Sequence, residues 1–249
     1  MPFSDIYSTR PATRKLSHDE KTDSDYLIRT RYFIDKESVD EAAKNLWDLD
    51  YFIVARTILS ASQDSRSVRS TIIPRTGIGH SLAIITPESE RGVDHLFFLG
   101  NMNSLIIDYC AKKKISGANL NGFMIKQLPL LDSKSLEDDD VTFVASRVAL
   151  LLAANGSLPS ALHEYTKAGH EASTPNDVAS ASAEVDAYLA FLYRLTRDEL
   201  RYVLEPKDAL GPRCPSDTFR VLKNTEIREY GEYRTQRLVL EAWDRLFED

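Results

Sequence analysis

Polar and apolar positions change rhythm several times along this chain, and each change predicts an element. Residues 1–29 are polar with little periodicity and read as a loose arm or linker. SVDEAAKNLWDLD (38–50) places Ser38 three residues before Glu41, a capping-box spacing followed by helix formers. YFIVARTIL (51–59) is rich in β-branched and aromatic residues and predicts a strand. SASQDSR (60–66) is a polar turn, and SVRSTIIP (67–74) is a second strand stopped by Pro74. RTGIGH (75–80) is a glycine-punctuated loop before a third strand, SLAIIT (81–86).

The rhythm is helical over 101–114, where Leu105, Ile106, Tyr109 and Cys110 share a face. FMIKQLPL (123–130) is strand-like, with Pro129 suited to a strand end. SKSLEDDD is a charged boundary, with LEDDD (136–140) read as solvated. Beyond it TFVASRVALLLAANG (142–156) predicts a helix with Gly156 at its C-cap. HEASTPNDVASAS (170–182) reads as a flexible connector. Helices follow at 183–195 and 196–204 with Thr196 as N-cap, then a Pro-rich loop, then a tail that is helical around Gly231, whose place inside the helix suggests a kink or close packing. The expected fold is α+β: a small mixed or antiparallel sheet with flanking helices over 30–131, then a mostly helical lobe over 132–249.

Composition narrows the class. Hydrophobic residues make up 43% and charged residues 28%, as in a globular chain. No stretch reaches the ~20 apolar residues of a membrane span, and the N-terminus has no apolar signal core. The two cysteines, Cys110 and Cys214, have no CxxC spacing, so zinc and a disulfide framework are not expected and a reducing cytoplasm is the simplest compartment. Net charge is −7. Residues 51–130 contain nine Lys or Arg against five Asp or Glu, a local +4, leaving −11 for the remainder. A locally basic face can bind phosphate on an acidic protein, because the field that counts is local.

The residues able to use that field are Arg56, Arg66, Arg69 and Arg75, on or beside adjacent strands, and Lys112, Lys113 and Lys114 at a helix end. Arginine neutralises phosphate or binds guanine bidentately; the same positions also suit solvent-facing residues with an ion pair. The lysines suit phosphate, and equally complement a helix C-terminus. Asn119 and Asn121 sit in a turn after Gly117, where an amide pairs with adenine or bonds its own backbone. Lys126 is a phosphate contact or a solvated edge residue. His80 contacts DNA or caps a turn. Arg228, Tyr230, Tyr233, Arg234 and Arg237 face nucleic acid or a partner, or belong to a helix packed through Tyr230, Leu238, Leu240 and Trp243.

Four blocks occur in a characteristic order: YFIVARTILSASQDSRSVRSTIIPRTGIGH, FFLGNMNSLIIDYCAKKKISGANLNGFMIKQLPLL, EVDAYLAFLYRLTRDELRYVLE and EIREYGEYRTQRLVLEAWDRL. Together they resemble the target-recognition region of large adenine-specific DNA methyltransferases from restriction–modification and phage-defence systems. The turn Asp64-Ser65-Arg66-Ser67 keeps the arginine of the usual Asn-Glu-Arg-Thr but not its neighbours. Gly117-Ala118-Asn119-Leu120-Asn121 stands where such enzymes often have Gly-Thr-His-Leu-Asn. The resemblance implies recognition of double-stranded DNA, with S-adenosylmethionine bound by a separate or missing catalytic domain.

The catalytic part has no counterpart in the sequence. There is no Asn- or Asp-Pro-Pro-aromatic motif and no Phe-x-Gly-x-Gly loop, since FFLGNMNS lacks the second glycine. Walker, HExxH, GxSxG and HxE…PCxxC motifs are also missing, and His18, His80, His95, His163 and His170 have no metal-ligand spacing. The expectation is a DNA-reading chain that does not itself catalyse methyl transfer. The alternatives are a protein-interaction scaffold docking onto a defence-system partner, and an enzyme of unrecognised type.

Overall fold

The computed structural model describes residues 33–59, 64–115, 119–168, 175–215 and 217–248. The polar arm, most of the 60–66 turn, Gly117-Ala118 and the first part of the 170–182 connector lie outside these residues.

The elements in chain order are α1 (Lys36–Ala43), β1 (Tyr51–Arg56), β2 (Ser70–Pro74), β3 (Leu82–Ile85), α2 (Gly92–Asn103), α3 (Leu105–Lys114) and α4 (Gly122–Ile125). They continue as α5 (Asp138–Ala154), α6 (Pro175–Leu192), α7 (Arg197–Leu204), α8 (Pro206–Leu210), α9 (Arg220–Tyr230) and α10 (Arg234–Phe247). The fold is α+β, with a small antiparallel sheet ordered β2-β1-β3 and a mostly helical remainder. Central β1 is apolar over Tyr51–Ala55 and buried on both faces, so it reads as a continuous hydrophobic run.

Six local expectations change. The first helix runs from Lys36 to Ala43, not over 38–50, because Asp35 is its N-cap and accepts from the Ser38 amide at 2.7 Å. The helix expected over 101–114 is two helices. Ser104 is extended, and its hydroxyl caps α3 by accepting from Ile107 N; the apolar stretch before it is α2.

The strand-like run 123–130 is instead α4 and a turn. Asn121 caps α4 through the Met124 amide at 2.9 Å, and Leu120, Met124 and Leu128 recur every four residues against one apolar cluster. The helix expected from 142 already starts at Asp138: Asp138, Asp139 and Asp140 form the first turn of α5, where the helix dipole favours negative charge, and the acidic run remains solvent-facing. Residues 175–182 of the expected connector are the start of α6. Gly231 ends α9 in the left-handed region at φ 79°, so the tail is two helices.

Other local readings hold. Thr196 and Glu199 form a reciprocal capping box on α7, and Gly156 adopts φ 63° after α5. The core forms where the sheet and α1 meet α2 and α5. Leu96, Phe97, Val144 and Ala145 are all essentially solvent-free, so one apolar cluster continues across the sequence break at residue 132. At Gly100 the α2 and α5 backbones approach so closely that a Cβ would lie 2.8 Å from Val148 Cγ2 and 2.9 Å from Val144 Cγ1. Helix α3 sits between two further clusters. Leu105 and Ile106 face α6, α7 and α10, whereas Ile107 and Ala111 face Leu59, Val68, Leu120 and Leu128.

Candidate nucleic-acid interface

Antiparallel pairing brings most of the predicted site residues to one end of the sheet. Arg56 ends β1, Ser70 opposite Ala55 begins β2, and Leu82 opposite Arg56 begins β3. The 64–69 segment and His80 therefore arrive at the same end. The 119–121 turn is stitched there by an Ile58–Asn119 bridge and by Leu120 N donating to Thr57 O at 2.7 Å. His80 contributes its carbonyl, which accepts from the Thr57 hydroxyl. Arg75 lies at the opposite end, beside Pro74 and Tyr51.

The arginines are engaged internally. Arg56 clamps Asp64 bidentately at 3.2 and 3.1 Å, and Arg69 reaches the same carboxylate at 3.9 Å and Ser65 Oγ at 3.2 Å. Arg75 holds Asp40 at 3.1 Å and donates to the carbonyl of Trp47, fastening α1 to the sheet. Arg66 donates to the Asn103 carbonyl and pairs at 3.4 Å with Asp108, whose side chain is fully buried. Asp108 also accepts from the amides of Ser67 at 2.6 Å and Val68 at 2.8 Å, and so fixes the turn entering β2. In this geometry the Arg66 guanidinium is not presented to a base edge. Lys112 joins the same group through Ser67 Oγ at 3.1 Å and Asp108 at 3.9 Å.

The remaining polar candidates stand in solvent. Lys113 and Lys114 are exposed on the last turn of α3, Lys113 lying 5.2 Å over the Tyr109 ring. Lys114 donates to the Gln127 carbonyl at 2.8 Å, which ties α3 to α4. Asn119, Asn121 and Lys126 are exposed, and Lys126 makes no ion pair among the described residues. The Asn121 oxygen is occupied as the α4 cap. This edge thus gathers the Lys114 and Lys126 ammonium groups and two amides on short, tethered segments, with Lys113 beside Lys114 on the Tyr109 side of α3.

Several residues that shape the site carry no sequence signal beyond being polar within apolar runs. Asp108 interrupts LIIDY, and Asp186 interrupts EVDAYLAF. Asp186 accepts from the Leu105 amide at 2.7 Å, and burial pushes its carboxyl up to about 6 despite nearby Arg66. Tyr233 is buried with no partner for its hydroxyl among the described residues, and that burial raises its pKa. His95 is a core residue, bonded to Tyr51 OH at 2.7 Å and to the Ser89 carbonyl at 2.6 Å, and burial lowers its pKa. Trp243 and Tyr233 anchor the tail helices inward, Tyr230 is half exposed, and Arg237 pairs with Glu232 and Glu241 on the outer face.

A cleft of about 200 Å³ lies between Asp64, Ser67, Lys112 and the start of α9, and one of about 150 Å³ beside Asp186. Both fall below the roughly 300–1,000 Å³ of small-molecule sites. Among the described residues no group of three or more His, Cys, Asp or Glu is placed to hold a metal ion, and no helix is long and apolar enough to cross a membrane. No known family, curated protein or solved structure matches this chain.

Proposed function

We propose that this chain reads double-stranded DNA for an adenine-specific methyltransferase whose S-adenosylmethionine-binding catalytic domain is a separate partner. The observation that carries the reading is the joining of Lys114 and Lys126 with Asn119 and Asn121 on one exposed edge at the end of the sheet, with Lys113 exposed beside Lys114 at the end of α3. The ammonium groups serve phosphate, which positions the duplex. Asn119 is the amide with its side chain unoccupied by a helix cap, and it is assigned base contact. Arg69, partly exposed despite its weak pairing with Asp64, is a further phosphate contact. Arg56, Arg66, Arg75 and Lys112 hold the platform rather than the ligand.

The test is selection from a randomised duplex library by the purified chain, alone and with an adjacent methyltransferase subunit. Enrichment of one sequence, lost in Asn119→Ala while bulk affinity persists, is the expected result. Recovery of an unenriched pool in both conditions contradicts sequence reading. The chain alone should transfer no methyl group from labelled S-adenosylmethionine.

A second reading, a scaffold docking onto a defence-system protein, is favoured by Phe33, Ile34 and Leu46, which stand 78%, 58% and 67% exposed at the two ends of α1. A binding partner lost on Leu46→Asp but indifferent to the lysine edge would support it.

A further inference from the structure

The lysine edge contains one residue that its charges do not explain. Phe123 is 73% exposed in the first turn of α4, although the same short helix turns Met124 inward and Leu120 and Leu128 are buried on either side of it. Around it in sequence, Asn121, Gly122 and Lys126 are all exposed and none is hydrophobic. Lys126 lies at i+3 from Phe123, hence on the same side of the helix. The Lys114 ammonium reaches the Gln127 carbonyl one residue further on. A Cβ added at Gly122 would meet nothing within 4 Å, so the space beside the ring is open. The Asn121 cap and the Leu120–Thr57 hydrogen bond hold the segment to the sheet end.

From this juxtaposition of a fixed, solvated aromatic ring and flanking ammonium groups we infer that Phe123 is a stacking platform for a DNA base that has lost a stacking neighbour. An aromatic face accepts any base, and the ammonium groups take the phosphates on either side. A protein-docking patch would instead continue the apolar surface outward from the ring, where this edge has lysine and amide groups. The inference rests on the DNA reading above. It adds a substrate preference: DNA with an unstacked base, such as a single-nucleotide bulge, over the fully paired duplex of equal charge.

The experiment measures binding of the full chain to three labelled probes: a paired duplex, the same duplex with one bulged nucleotide, and a single strand of the same length. The wild type should bind the bulged duplex about tenfold more tightly than the paired one, the scale of one base–aromatic stack. Phe123→Ala should equalise the two duplexes and Phe123→Trp should keep the preference. Lys114→Ala with Lys126→Ala should weaken all three probes alike. The ring is largely solvated, so the Phe123 variants should melt like the wild type. Binding without bulge preference, or a preference that survives Phe123→Ala, overturns the stacking role and leaves DNA recognition standing. Failure to bind any probe at low salt overturns both.

Discussion

The arginines between residues 56 and 75 and the lysines between 113 and 126 bear the same formal charge, and the fold uses them in opposite ways. Arg56, Arg66 and Arg75 each meet a carboxylate and, for the last two, backbone carbonyls, so their planar forks fasten turns and helices to the sheet. Lys113, Lys114 and Lys126 end on short segments with no carboxylate partner among the described residues. A local excess of positive charge in a sequence therefore does not locate a basic surface. The surface lies where cations outrun the carboxylates within reach, and here that is the α3–α4 edge.

The contrast is broken most severely at Asp108. Asp108→Ala leaves Arg66 without its buried counter-charge and strands the amides of Ser67 and Val68. A loss of roughly 3–5 kcal/mol in urea unfolding is expected. A variant as stable as the wild type would mean that the arginine is not structural.

Asp186 sharpens the same point through pH. Its folded pKa of about 6 lies above the roughly 3.9 of an unfolded aspartate. The native state holds this proton more tightly, so the contribution to stability is greatest below about pH 4 and falls as pH rises to about 6. Two pKa steps of about 1.4 kcal/mol each correspond to roughly 2–3 kcal/mol. Asp186→Asn keeps an acceptor for the Leu105 amide and should remove that decline between pH 4 and 6, relative to wild type measured in parallel. An unchanged pH profile would show that Asp186 does not titrate there.

Smaller still is Arg56→Ala. The Arg56–Asp64 pair is part exposed, so its loss should cost less than about 1 kcal/mol. Smallest is the combined replacement of Lys113, Lys114 and Lys126 by alanine. Stability should change by no more than about 0.5 kcal/mol, since these side chains lie at the surface.

The sheet was legible because Tyr51–Val54 is an uninterrupted β-branched and aromatic run and Pro74 stops its neighbour. The α5 and α7 caps were legible because their signals, Gly156 and the Thr196–Glu199 pair, are local. The 123–130 run misled because eight mainly apolar residues fit either period, and the Asn121 cap that decided the matter bonds through a single side chain. The division of labour among the cations was not legible at all. Asp64, Asp40 and Asp108 lie 8, 35 and 42 residues from Arg56, Arg75 and Arg66, and only the folded chain brings them together. Phe123 escaped notice for a related reason: an aromatic in an apolar stretch is ordinarily core, and its exposure follows from the phase of α4.

The central claim is that accessible lysines on the α3–α4 edge, and not the clamped Arg56, Arg66 and Arg75, bring phosphate to this protein. It is tested most directly by the salt dependence of duplex binding in the wild type and in the Lys113→Ala, Lys114→Ala, Lys126→Ala variant. Each neutralised phosphate contributes about −0.9 to the slope of log K against log salt, so the variant's slope should be shallower than wild type by about 2.7. Arg56→Ala measured alongside should leave the slope unchanged. An identical slope in the lysine variant, or a shallower one in the arginine variant, would contradict the account.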